Sequence, residues 1–228
     1  AYRRQRQMCI RDSYKGGLLH IQDLSSQLCA YFLSAEKGQT VLDICSAPGG
    51  KTFTTAEYMH NSGKIIACDM YEHKLKLIEK GAKRLGIDIV ETCLRDGSSD
   101  ENPLPMADRI LCDVPCSGLG VLSRKPEIRY KDDLIDTDLA DIQYKILCES
   151  AKYLKKGGKL VYSTCTLNPQ ENNKNTAKFL AEHNDFEGVE LELPPELKRA
   201  FDEKPYEITL MPHTFDGDGF YIAVLTRR

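Results

Sequence analysis

Short apolar runs alternate along the chain with segments in which apolar side chains recur every three or four positions. The runs predict five buried strands, at 41–45, 64–69, 87–92, 109–114 and 159–164. The helical spacing predicts helices at 20–33, 75–85 and 139–154, one after the glycine turn near residue 50, and one around 179–180. Two further apolar runs, 206–211 and 220–226, predict a hairpin. Alternating strands and helices predict an α/β fold with a doubly wound, mostly parallel sheet and a C-terminal antiparallel hairpin.

The composition suits a single folded domain, since 41% of the 228 residues are hydrophobic and 29% are charged. No apolar run approaches the ~18 residues of a membrane span, and the start does not resemble a signal peptide. Nine cysteines, an odd number, are spread along the chain without CxxC pairs or Cys/His zinc spacing. We therefore expect a cytoplasmic protein with reduced thiols, no metal and no membrane association.

The first 13 residues differ from the rest of the chain. Within them, Met8–Ser13 back-translates to a DNA sequence that resembles a transposon end used in building sequencing libraries. We predict that 1–13 is a foreign or disordered segment and that 14–228 is the catalytic domain; a basic arm that touches RNA is the alternative. The segment holds four arginines and one aspartate, so without it the formal net charge falls from −3 to −6. Contact with nucleic acid must then come from a local basic patch.

A glycine turn follows the first predicted strand. Cys45–Lys51 contains two adjacent glycines, which let the chain turn sharply and bring backbone N–H groups to a ligand. Asp69 lies 20 residues beyond Gly49, at the end of the next strand, where a carboxylate can bind both hydroxyls of a ribose. The turn is neither a GxGxxG fingerprint nor a P-loop. The pairing predicts an adenosine cofactor, and a plain tight turn is the alternative.

Two cysteines stand at the ends of predicted strands. Cys116 follows the fourth strand and Cys165 follows the fifth. Because ligands bind beyond the carboxyl ends of parallel strands, both thiols should face the same crevice as the glycine turn. Cys68 and Cys112 lie within strands and are interpreted as core residues.

Three motifs, LDICSAPGGKT, DVPCSGLGVLSRKPEIRY and YSTCTLNPQEN, together resemble the Sun/nucleolar-protein family of RNA cytosine-C5 methyltransferases, above all the catalytic domain of its bacterial 16S ribosomal RNA members. The resemblance runs from Gly17 to the C-terminus. It implies a Rossmann-like methyltransferase fold that binds S-adenosylmethionine. Departures are Ser46, where alanine is usual, and Thr166, where serine is usual. The implied cofactor-binding residues are Cys45, Ser46, Ala47, Pro48, Gly49, Gly50, Lys51, Asp69, Asp96 and Asp113.

The resemblance also implies a mechanism. Cys165 would attack cytosine C6, which makes C5 nucleophilic enough to take a methyl group, and Cys116 would assist release of the product. Nearby positive charge should lower the pKa of the attacking thiol, and Lys51 is the candidate. Asp113 could bond the exocyclic amine of cytosine, or N3 if protonated. The family's bacterial members carry an N-terminal RNA-binding domain that has no counterpart here, so we expect a fragment, monomeric, of a longer protein.

A basic stretch after Cys116 is the best candidate for RNA contact. Arg124, Lys125 and Arg129 would flank a flipped base and hold phosphates, with a solvated loop as the alternative. The predicted substrate is 16S ribosomal RNA, with transfer RNA as an alternative. A DNA methyltransferase would use Cys116 alone as nucleophile. A small-molecule methyltransferase would need neither cysteine motif, and a non-catalytic RNA-binding module would tolerate the loss of both.

Overall fold

The computed structural model describes residues 2–130, 137–195, 197, 203–214 and 217–228. The helices are α1 (Tyr2–Lys15), α2 (Leu24–Leu33), α3 (Gly50–Tyr58), α4 (Glu72–Leu85), α5 (Thr137–Ala151) and α6 (Asn173–Glu182). The strands are β1 (Thr40–Asp43), β2 (Lys64–Asp69), β3 (Val90–Leu94), β4 (Ala107–Asp113), β5 (Leu154–Thr164), β6 (Phe186–Gly188), β7 (Glu207–Leu210) and β8 (Phe220–Arg227). Two short 3-10 helices, Leu119–Val121 and Pro126–Tyr130, follow β4.

The strands form one mixed sheet in the order β3-β2-β1-β4-β5-β8-β6, and β7 also pairs with β8. β1 to β5 are parallel to one another, and β8 runs antiparallel to β5, β6 and β7. The predicted fold class and the predicted C-terminal hairpin are confirmed. Because β1, β2, β3, β4 and β5 are parallel, their carboxyl ends meet at one edge, where ligands of such sheets bind.

The core covers both faces of the sheet. β8 is buried along nearly its whole length, as expected for a strand covered on both faces. Tyr162, Tyr221 and Phe179 are the largest fully buried side chains. Cys68 and Cys112 are fully buried, so their interpretation as core residues is confirmed.

Several predicted boundaries are wrong for identifiable reasons. The first core helix begins at Leu24, not His20, because Asp23 caps it by accepting the Ser25 N–H at 3.0 Å. Ile21, one of the apolar residues whose spacing predicted a helix at 20–33 with its apolar face towards the core, therefore precedes the helix and is 76% exposed. The third strand begins at Val90 instead of Ile87.

The helix predicted at 139–154 also ends earlier than predicted. It stops at Ala151, and Leu154 opens β5 by pairing with Ala107. The register of this pair then shifts, and Gly157 adopts a positive φ of 75° within the irregularity. Ile142, predicted on the buried face of α5, is 43% exposed. The three-residue strand β6 has no counterpart in the apolar pattern.

The N-terminal segment forms most of α1, and its foreign origin stays a prediction. Ile10, whose burial would argue against that origin, is 47% exposed. Tyr14, at the end of α1, packs under the Arg84 guanidinium at 4.0 Å. None of the described helices combines the length and the hydropathy that crossing a membrane requires.

Candidate active site

The carboxyl ends of the parallel strands surround a cleft of about 530 Å³. Its volume lies in the range of small-molecule sites. The structure brings seven of the predicted site residues to its walls: Cys45, Ala47, Asp69, Asp96, Asp113, Cys116 and Cys165. Both predicted cysteines thus open into the crevice beside the glycine turn, as the strand-end argument requires.

A second cavity, of about 230 Å³, adjoins the cleft and shares Asp113 with it. Of the glycine-turn residues, it is lined by Cys45, Ser46, Ala47, Pro48, Gly50 and Lys51. Gly49 lines neither cavity. It makes the turn itself, with φ at 106° and its N–H donated to the Ser46 carbonyl at 2.8 Å. A Cβ at Gly49 would lie 2.6 Å from the Phe53 ring, so only glycine fits.

The glycine turn is tied to the sheet by buried polar contacts. The Ser46 hydroxyl donates to the Cys68 carbonyl of β2 at 2.9 Å. The Thr52 hydroxyl donates to Asp43 Oδ2, at the end of β1, at 2.7 Å. Asp43 is almost fully buried, and burial raises its pKa to about 7.

The residues present fit an adenosine cofactor. Asp69 ends β2 and Asp96 follows β3, so two carboxylates stand side by side on the wall of the cleft. Asp69 accepts the Tyr71 N–H at 3.0 Å, and Asp96 accepts the Ser98 N–H at 2.9 Å, which fixes both side chains. Carboxylates so placed can accept hydrogen bonds from ribose hydroxyls and from an adenine amine.

Lys51 and Asp113 form an ion pair between the two cavities. Lys51 Nζ lies 2.6 Å from Asp113 Oδ2, and the Ser163 hydroxyl donates to Oδ1 at 2.8 Å. The Lys51 side chain is only 14% exposed, so Lys51 is not an ordinary surface charge at the start of α3. Burial opposes its charge, but Asp113, Cys29 and Asp43 together outweigh burial and raise the pKa of Lys51. Lys51 is therefore a fixed cation, and Asp113, as its partner, is a hydrogen-bond acceptor.

The two predicted cysteines are in direct contact as free thiols. Their sulfurs lie 2.9 Å apart, and the Cys165 N–H donates to Cys116 Sγ at 3.2 Å. The hydrogen bond between the two thiols, in which either sulfur could donate, lowers the pKa of Cys165, while that bond and burial raise the pKa of Cys116 well above its ordinary value. Lys51 and Lys125 lower the pKa of Cys165 further. Lys51 thus acts on the thiol in the predicted direction, but the larger influence is the neighbouring thiol.

Only part of the basic stretch is free to meet a ligand. Arg124 forms an ion pair with Asp218 and lies 3.4 Å from Asp23 Oδ2, so it joins the loop after β4 to the start of α2 and the β7–β8 loop. Lys125 and Arg129 are exposed. The neighbouring Tyr130 is 85% exposed, and Lys131 lies outside the described residues.

Sequence reasoning missed a buried carboxylate beside the cysteines. Glu171 is 1% exposed and accepts hydrogen bonds from the loops that carry Cys116 and Cys165. The signal was present, since Glu171 lies in the quoted motif YSTCTLNPQEN, but a glutamate seven residues from the strand end gives no indication of its partners.

Comparison with known proteins agrees with this arrangement. Residues 30–226 match the family model of the 16S rRNA methyltransferases RsmB/F. The chain belongs to this family. The resemblance to the Sun/nucleolar-protein enzymes is thereby confirmed.

Among the relatives of this chain are bacterial and archaeal proteins. The chain is 42% identical to the probable ribosomal RNA small subunit methyltransferase B of Bacillus subtilis, over 94% of this chain and 49% of that protein. It is 36% identical to the corresponding protein of Synechocystis, over 91% of this chain and 47% of that protein. The chain therefore spans about half the length of these curated relatives.

A solved structure supports both the fold and the cofactor. NSun6 from Pyrococcus horikoshii, crystallised with SFG, superposes with a TM-score of 0.85 at 30% identity, covering 94% of this chain and 54% of that one. SFG is an analogue of S-adenosylmethionine. The predicted cofactor, S-adenosylmethionine, is confirmed, and the RsmB/F domain has the Rossmann-like methyltransferase fold.

Proposed function

We propose that the RsmB/F domain methylates C5 of a cytosine in 16S ribosomal RNA through a covalent bond between Cys165 and C6. The observation that carries the proposal is the contact of the two thiols, 2.9 Å apart, on the wall of the cleft that also holds Asp69 and Asp96. An RNA methyltransferase that methylates a more nucleophilic atom than cytosine C5 would need neither thiol. Transfer RNA is the alternative substrate, and the family description favours ribosomal RNA.

The asymmetry of the thiol pair supports Cys165 as the nucleophile. We assign the Cys116 thiol as the donor in the sulfur–sulfur contact, because the lowered pKa of Cys165 and the raised pKa of Cys116 favour the thiolate on Cys165 and the proton on Cys116. Attack of the Cys165 thiolate forms the S–C6 bond and moves the C5–C6 π electrons towards C5 and the ring carbonyl. Bound S-adenosylmethionine supplies the methyl group that C5 then takes.

Asp113 is suited to orient the cytosine. Its carboxylate is held between Lys51 and Ser163 and lies on the cleft wall, so it can accept a hydrogen bond from the exocyclic amine. The ion pair with Lys51 argues against a protonated Asp113 that donates to N3. Of the two roles that the sequence left open, we propose acceptance from the amine.

Release requires that C5 lose its proton to a base and that the S–C6 bond break. The electrons of the C5–H bond restore the double bond, and Cys165 departs as a thiolate. The Cys116 thiol, which already donates to Cys165, stabilises the departing sulfur. Cys116 therefore assists elimination instead of attacking the base.

The test of this division of labour is a denaturing gel of each variant with labelled RNA and S-adenosylmethionine. We expect C165A to be inactive, with no covalent RNA complex, and C116A to accumulate RNA crosslinked to protein because elimination slows. Cys9, an exposed thiol of α1, provides the control variant C9A, which should behave as the unmodified protein. A crosslink with C165A but not C116A would contradict the proposal and favour Cys116 as nucleophile, as in DNA enzymes.

The same proposal covers where the protein acts, its oligomeric state and its contacts with RNA. We propose that the protein acts as a monomer in the cytoplasm. Within the chain itself, Lys125 and Arg129 are the proposed RNA contacts, and Arg124 contributes by holding their loop.

A further inference from the structure

The two thiols lie on different loops, and something must fix their separation. Cys116 belongs to the loop after β4 and Cys165 to the loop after β5, 49 residues apart in the chain. A sulfur–sulfur hydrogen bond is weak, so it cannot by itself hold two loops in register. The Gly120 N–H joins the loops once, by donating to the Cys165 carbonyl at 3.0 Å. Four further hydrogen bonds around the thiols converge on Glu171.

Glu171 receives four hydrogen bonds at its carboxylate. Oε2 accepts the Ser117 N–H at 2.9 Å and the Gln143 amide at 2.8 Å. Oε1 accepts the Ser117 hydroxyl at 2.6 Å and the Asn168 amide at 3.0 Å. Ser117 directly follows Cys116, and Asn168 lies three residues after Cys165, so one carboxylate joins both thiol loops.

The same network extends to neighbouring groups. The Ser117 hydroxyl also lies 2.7 Å from the Thr166 hydroxyl, next to Cys165. The Gln143 amide donates in addition to the Pro115 carbonyl at 2.8 Å, on the other side of Cys116. Gln143 is fully buried on α5, so its side chain anchors the Cys116 loop to this helix.

The chemistry of the site requires a carboxylate. A carboxylate accepts only, with about four lone-pair sites, and the four donors match that capacity. A glutamine side chain at this position would point the two N–H bonds of its amide towards other donors. Some of these buried donors would then lack an acceptor. The four donors to the Glu171 carboxylate are neutral, so this network is not an ordinary salt bridge.

We infer that Glu171 is the positioning residue of the thiol pair: it clamps the loops of Cys116 and Cys165 so that the two thiols stay within hydrogen-bond distance of each other. The inference rests on the proposed function for its role in methylation, but the geometry it predicts can be measured without RNA or cofactor. Loss of the clamp should separate the sulfurs and return Cys165 towards an ordinary thiol.

The test is the pH dependence of Cys165 alkylation by iodoacetamide, read peptide by peptide by mass spectrometry in the cofactor-free protein. In E171Q we expect the midpoint to rise by about one pH unit, which lowers the alkylation rate at neutral pH about tenfold. S-adenosylmethionine affinity, measured by calorimetry, should stay within about twofold, because Glu171 lines neither cavity. E207Q is the matched control, since Glu207 is also buried but bonds Tyr221 in β8. It should leave the Cys165 midpoint unchanged.

S117A provides a second, milder variant if E171Q folds poorly. It removes one of the four hydrogen bonds and keeps the backbone N–H, so we expect a smaller shift of the midpoint in the same direction. An unchanged Cys165 midpoint in folded E171Q, or in S117A if E171Q does not fold, would overturn the inference. The outcome is separable from the proposed function: a shifted midpoint in a protein that makes no 5-methylcytosine would refute that function and leave the clamp standing.

Discussion

Asp43 gives the RsmB/F domain a stability that falls as pH rises. Burial raises the pKa of Asp43 to about 7 from an ordinary value of 3.8, with Asp113 and Asp69 adding to the rise and Thr52 and Lys51 opposing it. The folded protein therefore keeps a proton that the unfolded chain releases above pH 4. Stability from this group is fully present below the unfolded pKa and is lost as pH rises through the folded pKa.

The size of the effect follows from the shift. A displacement of about three pKa units corresponds to about 4 kcal/mol in the free energy of unfolding, lost between about pH 4 and pH 7. D43N cannot ionise, so it should lack this loss. Relative to the unmodified protein, D43N should gain stability from pH 5 to about pH 7 and then level off towards pH 8.

The assay is urea unfolding of both cofactor-free proteins at pH 5, 6, 7 and 8. D108N is the control of opposite sign. Burial of Asp108 is outweighed by Lys155 and the Thr40 N–H, which lower its pKa. The stabilisation that Asp108 contributes is present above its unfolded pKa and is lost as pH falls through its folded pKa. D108N should therefore be less stable than the unmodified protein at neutral pH. Parallel pH curves for D43N and the unmodified protein would refute the assignment of a buried, proton-holding Asp43.

The remaining predictions concern the cofactor, the RNA and the loop contacts. D69A should abolish S-adenosylmethionine binding in calorimetry, and unchanged affinity would exclude the ribose role. K125A with R129A should weaken RNA binding at least tenfold in filter binding and flatten its salt dependence while cofactor affinity is kept. Weakened cofactor binding instead would mean that the loop is structural. G120A should destabilise the fold measurably in thermal unfolding, because the new Cβ would lie 1.8 Å from the Gly219 carbonyl oxygen; an unchanged melting temperature would contradict that contact.

The strand ends could be predicted because their signal is local. Each short apolar run before Cys45, Asp69, Cys116 and Cys165 marks a buried strand, and parallel topology then gathers the residues that follow. The three motifs, in their order along the chain, could identify the family because each of them is also a local feature of the sequence. Cys116 and Cys165 could therefore be placed in one crevice without coordinates.

The missed features depend on partners far apart in the chain. Arg124 has the sequence appearance of a free RNA-binding cation, but Asp218, 94 residues later, pairs with it. Glu171 is a plain glutamate in a loop until folding brings Ser117 and Gln143 to it. The exposure of Ile21 follows from the cap that precedes Leu24, which overrides hydrophobic periodicity.

The most direct test of the proposed function is identification of the methylated nucleoside. Naked 16S RNA and assembled small subunits from a strain without the activity are incubated with the protein and labelled S-adenosylmethionine, then digested to nucleosides for mass spectrometry, with bisulfite sequencing of the intact RNA. The account predicts label in 5-methylcytidine, at one bisulfite-resistant position, and none with C165A. Label in a uridine, at cytidine N4, on a ribose hydroxyl, or retained in C165A would contradict it.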